Sequence, residues 1–250
     1  MKKCVLVAVF SQLLFFSLPL SAQSIASRND DYLDHLLDHS MLFDTMRVES
    51  SQIAAAGNLD EWKQWLIVEN YSFGKNRGSL PMITDLQALH PYFRDKVAAL
   101  VQICKAAEIE LAIVESYRTS AKQAEYFAMG KKYTNTPGGK SRHQYGLAVD
   151  VVPIVDSVAV WNNARLWRKI GAAGERLGLR WGGRWRVVYD PGHFEWSGGL
   201  SVRDLEAGAL PPIPSSLSAR YPNIQEDLKL LHTYWEAWQA EQSVMAHKGG

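Results

Sequence analysis

The stretch LAVDVV, Leu147 to Val152, alternates in the manner of a strand, so Leu147, Val149 and Val151 share one face and Ala148, Asp150 and Val152 the other. An aspartate in the middle of such a strand narrows the folds open to the chain. An uncompensated buried carboxylate costs several kcal/mol, so Asp150 must be paired, hydrogen-bonded or bound to a metal. Another part of the chain has to be brought against this strand to supply the partner. The residues just before it, SRHQYG, offer a histidine and a glycine where a loop becomes the strand.

Upstream, the spacing of apolar residues predicts a helix over Pro91 to Ala107, a strand over Glu110 to Glu115 and a helix over Ser120 to Met129, with Tyr117 and Arg118 at the strand's end. Downstream, Trp161 to Leu177 reads as a helix. WGGRWRVVYDPGHFEW reads as two short strands joined by the turn Asp190-Pro191-Gly192. LPPIPSS has the composition of a linker, and Asn223 to Met245 forms an amphipathic helix carrying Leu228, Leu231, Trp235 and Trp238. That helix is expected to pack back onto the domain, with a wall- or partner-binding role as the lesser alternative. Leu33, Leu36, Leu37 and Met41 mark another helix between Ser24 and Gly57.

A chain of 250 residues with 47% hydrophobic content can bury one good core plus appendages, so one catalytic domain is expected. The first residues combine a short basic start, an apolar run from Cys4 to about Leu18 and small residues near Ala22, which is the pattern of a secretory signal peptide. The organisation expected is a signal peptide over 1–22, a helical extension over 23–85, a catalytic domain over 86–209, and a Pro-rich linker with the terminal helix over 210–250. An exported, periplasmic or secreted, monomeric protein without a membrane span follows. Loss of Lys2 and Lys3 takes the formal charge from +1 to −1, so no basic field argues for nucleic acid. Of the two cysteines only Cys104 remains, which excludes an internal disulfide and a cysteine-rich zinc site; it falls on the apolar stripe of its helix as a structural thiol.

Without thiolates, a zinc hydrolase site needs three nitrogen or carboxylate ligands and one open position for water. His143 and Asp150 supply two, with Gly146 allowing a tight fold between them, and His193 in DPGHFEW supplies a third. Two histidines and one aspartate leave a net charge near +1, which keeps a bound water acidic, with a pKa on the order of 7 to 9. Peptide hydrolysis also needs a base. Asp190, three residues before His193 across a Pro-Gly turn, is preferred; Glu195, on the same strand face as His193, is the rival and otherwise a partner to a ligand.

SRHQYGLAVD and DPGHFEW, with SYRTSAKQ upstream and WGGRW between, resemble the zinc peptidases that cut peptidoglycan stem peptides, the D-alanyl-D-alanine carboxypeptidases and L-alanyl-D-glutamate endopeptidases. The pattern S-x-H-x-x-G-x-A-x-D followed by [DE]-x-x-H is met by Ser141, His143, Gly146, Ala148, Asp150, Asp190 and His193. The resemblance spans roughly residues 86 to 205. It implies zinc on His143, Asp150 and His193, Asp190 as base, and Arg118 and Ser141 toward a stem-peptide substrate, with Arg118 at the polarised carbonyl. It also implies an α+β fold of the hedgehog/D-Ala-D-Ala peptidase type: a small antiparallel sheet flanked by helices, with N- and C-terminal helical extensions. Arg184 departs from the acidic residue usual in the endopeptidase branch, which leaves the cleaved bond open. A non-catalytic zinc-containing peptidoglycan-binding module is the alternative, and the presence of Asp190 argues against it. His35 and His39, one helical turn apart, face away from their leucine stripe and are read as a solvated face; His90 and His232 are read as structural.

Overall fold

The structure, a computed structural model, describes residues 77–131 and 133–248. The signal peptide, the helix over Ser24 to Gly57, the His35/His39 pair and most of the 23–85 extension lie outside the described residues. Helix α1 (Pro91–Ala106) opens with proline at its first position, where the ring costs no hydrogen bond, and buries Phe93, Val97, Leu100, Val101 and Cys104. Burial pushes the Cys104 thiol up to about 12, which removes it from nucleophilic chemistry. Strand β1 (Glu110–Glu115) leads to helix α2 (Ser120–Ala128), whose N-cap Thr119 accepts from Lys122 N at 3.1 Å.

Strand β2 (Ala148–Val155) turns through Asp156 and Ser157, both at positive φ, into β3 (Val158–Ala159). Helix α3 (Ala164–Arg176) is capped by Asn163, so it starts after Trp161, whose carbonyl accepts from Trp167 Nε1 at 2.9 Å. Strands β4 (Arg180–Trp181) and β5 (His193–Glu195) and the short helix α4 (Val202–Glu206) follow. The sheet runs β1-β2-β5-β4, with β3 on β2, and every pair is antiparallel. Helices α1 and α3 contribute Phe93, Trp167 and Ile170 to the core that Val149, Val151 and Phe194 bring from the sheet. Truncating Phe93 or Trp167 to alanine would cost about 3–5 kcal/mol. The α+β architecture is the expected one.

One expected strand is absent. Arg186 to Tyr189 have strand-forming residues, yet β5 pairs with Arg180–Trp181 instead, and the segment between makes a 3-10 turn (Gly182–Arg184) and an open loop. Two facts decide this. A Cβ on Gly182 would lie 2.4 Å from Asp190 O, so the chain folds back on itself there, and Val187 at 95% exposure finds nothing to pack against.

The terminal helix α5 (Ile224–Lys248) buries Leu228 and packs Trp235 and Trp238 against Ile83, Ala88 and Tyr117, as its amphipathic pattern predicts. The proline-rich segment before it lies on α1, with Leu217 and Tyr221 against Tyr92. Among the described residues no helix is long and apolar enough to cross a membrane.

Candidate active site

Three adjacent strands place one row of side chains across the sheet. A β-bulge between Ile113 and Glu115 sets Glu115 opposite Asp150 on β2, and Asp150 lies opposite His193 on β5. Residues directly opposite in an antiparallel pair share a face, so the acid, the aspartate and the histidine meet on one side.

His143 arrives from the 3-10 turn Arg142–Tyr145, which ends at Gly146 in the left-handed region, φ 63. A Cβ at Gly146 would lie 2.9 Å from His90 N and 3.0 Å from Ala88 O, so a side chain there would push the turn off the segment that precedes α1. Ser141, at the start of the turn, lines the cleft and makes no side-chain cap.

His143 Nδ1 donates to the Ser116 carbonyl at 2.9 Å, and His193 Nε2 donates to Glu195 Oε2 at 3.3 Å. These bonds fix both tautomers and turn the other two nitrogens inward. His143 Nε2 and His193 Nδ1 are 3.2 Å apart, and Asp150 Oδ1 lies 3.5 Å from the first and 2.9 Å from the second. Two ring nitrogens and a carboxylate oxygen thus converge on one point, where a proton or a cation can sit between them. The three donors suit a small divalent ion, zinc by their nitrogen and oxygen character.

Burial would keep His193 neutral, but its bonds to Asp150 and Glu195 push it up to about 10. Burial would raise Asp150, but His143 and His193 outweigh it and hold the carboxyl well below the usual carboxylate range. Glu195 is buried, and Arg180 at 2.8 Å and Arg142 at 3.3 Å join His193 in holding it ionised.

Arg118 enters from the loop between β1 and α2. Glu115 grips its Nε at 3.1 Å and its NH2, and Gln123 takes NH1 at 3.1 Å. This leaves two of the five guanidinium N–H groups, on the side where NH2 approaches Asp150 Oδ2 at 3.9 Å. Glu115 belongs to none of the motifs above; E-x-x-R at the end of an apolar strand is the signal the sequence offers for it. Asp190 lines the cleft and acts electrostatically on His193; its carbonyl accepts from His193 N at 3.2 Å.

The cleft around these groups measures about 1040 Å³. Eight lysine and arginine side chains line it, of which Arg118, Lys140, Arg142, Arg180 and Arg184 are ion-paired with Glu115, Glu206, Glu195 and Glu175, so its lining is rich in cations that are largely paired. Arg184 is spent at the rim, bound to Glu175 on α3 at 2.9 and 3.0 Å.

Residues 134–196 match a family model of the M15 peptidases described as D-alanyl-D-alanine carboxypeptidase. Over this segment the chain is similar to the M15 peptidases. The matched segment holds His143, Asp150, Asp190 and His193, and Arg118 precedes it. The peptidoglycan L-alanyl-D-glutamate endopeptidase CwlK of Bacillus subtilis is 28% identical over 130 residues, covering 46% of this chain and 76% of that protein. The L-alanyl-D-glutamate peptidase of Escherichia phage T5 is 29% identical over 143 residues, covering 50% of this chain and 98% of that protein. Among solved structures, the Serratia marcescens L-Ala D-Glu endopeptidase ChiX is 27% identical with a TM-score of 0.39, covering 48% of this chain and 86% of that chain.

Proposed function

We propose that this chain is an exported zinc peptidase that hydrolyses peptidoglycan stem peptides, with an L-alanyl-D-glutamate or D-alanyl-D-alanine bond as the target. The convergence of His143 Nε2, His193 Nδ1 and Asp150 Oδ1 carries this reading. Zinc held by these three groups would supply a Lewis acid and an acidified water at neutral pH. Asp190, beside the ligand strand, takes the proton of the attacking water and returns it to the leaving amine. Arg118 offers its two remaining N–H groups to the scissile carbonyl as charge develops on the oxygen. The names of the two peptidase relatives point to the L-alanyl-D-glutamate bond. The N-terminal signal pattern supports action outside the cytoplasm.

The test is digestion of purified sacculi followed by mass spectrometry of the released peptides, with metal content measured on the same preparation. One zinc per chain, release of peptides cut at one of the two bonds and loss of release on chelation are expected. Zinc binding with sacculus binding but no cleavage would replace the enzyme by a binding module, and absence of zinc would remove the mechanism.

A further inference from the structure

We infer that Glu236, on the terminal helix and outside the segment 134–196 that matches the family model, is a positioning residue for the active site. Its carboxylate oxygen Oε1 receives three donors from one short loop: Ser120 N at 2.8 Å, Tyr117 OH at 3.2 Å and Ser120 Oγ at 3.3 Å. Ser120 opens α2, so this carboxylate also lies at the positive end of that helix, where an anion is favoured. Two more contacts from the same face of α5 hold the same loop. Gln239 Oε1 accepts from Thr119 Oγ1 at 3.1 Å, and the His232 ring stacks on Tyr117 at 5.1 Å.

The loop held in this way is the one that builds the site. Arg118 sits between Tyr117 and Thr119, its N–H donates to the His143 carbonyl at 3.2 Å, and the Ser116 carbonyl orients the His143 ring at 2.9 Å. Residues 116 to 119 are buried and belong to no helix or strand, so isolated backbone bonds and side-chain bonds rather than a ladder fix their position. Ile83 and Asp85 hold Ser116 on the inner side, and α5 holds Tyr117, Thr119 and Ser120 on the outer side. Glu236 therefore acts on both Arg118 and His143 without touching either. The helix that carries it, which lies beyond the segment matched by the family, is a working part of the site and not an appendage.

This rests on the proposed roles of Arg118 and His143, so the experiment includes readouts that need no substrate. Full-length Glu236→Ala is compared with Glu236→Gln, whose amide oxygen can accept the same bonds, and with Leu230→Ala on the exposed face of α5. Three quantities are measured: amide exchange at residues 116–120 in the metal-free chain, zinc affinity by chelator competition, and kcat and KM on released stem peptides. Glu236→Ala should lose exchange protection at 116–120, weaken zinc binding about 10-fold and lower kcat about 10-fold or more with a smaller change in KM. Glu236→Gln should restore most of this, and Leu230→Ala should match the parent chain. If Glu236→Ala fails to fold, Tyr117→Phe, which removes one of the three donors and keeps the ring stack, takes its place with effects of the same sign. A lowered melting temperature with unchanged exchange at 116–120, zinc affinity and kcat would overturn the inference. Inactivity of the parent chain on stem peptides would overturn the proposed function alone, since exchange and zinc affinity still decide the role of Glu236.

Discussion

Acid should destabilise this fold through His90. Its side chain is 1% exposed, neither ring nitrogen has a hydrogen-bond partner, and its ring meets Trp196 edge-on at 5.4 Å. Burial lowers its pKa from 6.5 to about 4 against a smaller opposing pull from its own backbone, and weaker repulsion from His232 and Arg94 adds to the lowering. The unfolded chain takes up a proton near pH 6.5 that the folded chain refuses until about pH 4. Below 6.5 the unfolded state therefore holds more protons, and stability falls as the pH drops through that window. At 1.36 kcal/mol per pH unit the full loss is about 3 kcal/mol, and about 2 kcal/mol of it is already felt at pH 5. His90→Phe keeps an aromatic ring against Trp196 and removes the titration. Urea unfolding of both proteins at about pH 7.5 and about pH 5 should show the parent losing about 2 kcal/mol more than the variant. His232, also lowered by burial, adds to the slope in both proteins. Equal losses would refute the reasoning and mean that the His90 ring is solvated or bonded.

Other expectations concern the site. Arg118→Ala strands Glu115 at 0% exposure, so it should cost about 3–5 kcal/mol in a melting experiment; adding Glu115→Gln should recover stability while kcat/KM stays lowered by about 10²-fold. Asp190→Asn should keep zinc and cut turnover by about 10² to 10⁴-fold, whereas Glu195→Gln should weaken zinc binding by about 10 to 100-fold; the opposite pattern in metal analysis and kinetics would exchange their roles. Gly146→Ala should cost at least about 1 kcal/mol in urea unfolding, because φ 63 and the 2.9 Å approach to His90 N both oppose a Cβ.

His143, Asp150 and His193 were legible because a charge inside an apolar strand and histidines at turn positions are local signals, and the structure brings the three together. The partners that orient them were not. Glu115 looks like the polar end of a strand, and only the bulge at Val114 turns it toward Asp150. Arg142, Arg180 and Glu195 form one cluster from three segments, and no spacing in the sequence connects them. The segment WRVVY misled in the other direction, because β-propensity is decided by what a strand can pair with, and the loop before Asp190 finds no edge. His90 and His232 are far apart in sequence, and only the packing of α5 on the domain brings His232 close enough to oppose a charge on His90.

The bulge in β1 can also be understood as a phase shift. Side chains along a strand alternate with a period of two, so one surplus residue is half a period. Before the bulge, Ile113 faces Val151; an uninterrupted ladder would set Val114 opposite Asp150 and send Glu115 to the other side. The surplus residue exchanges them, and the strand delivers its acid to the cleft while Leu111, Ala112, Ile113 and Val114 all remain in the core. Chemistry and packing in β1 are thus separable by counting residues. Restoring the regular count could leave a well-packed strand whose arginine anchor points the wrong way, a stable protein with its cleft out of step.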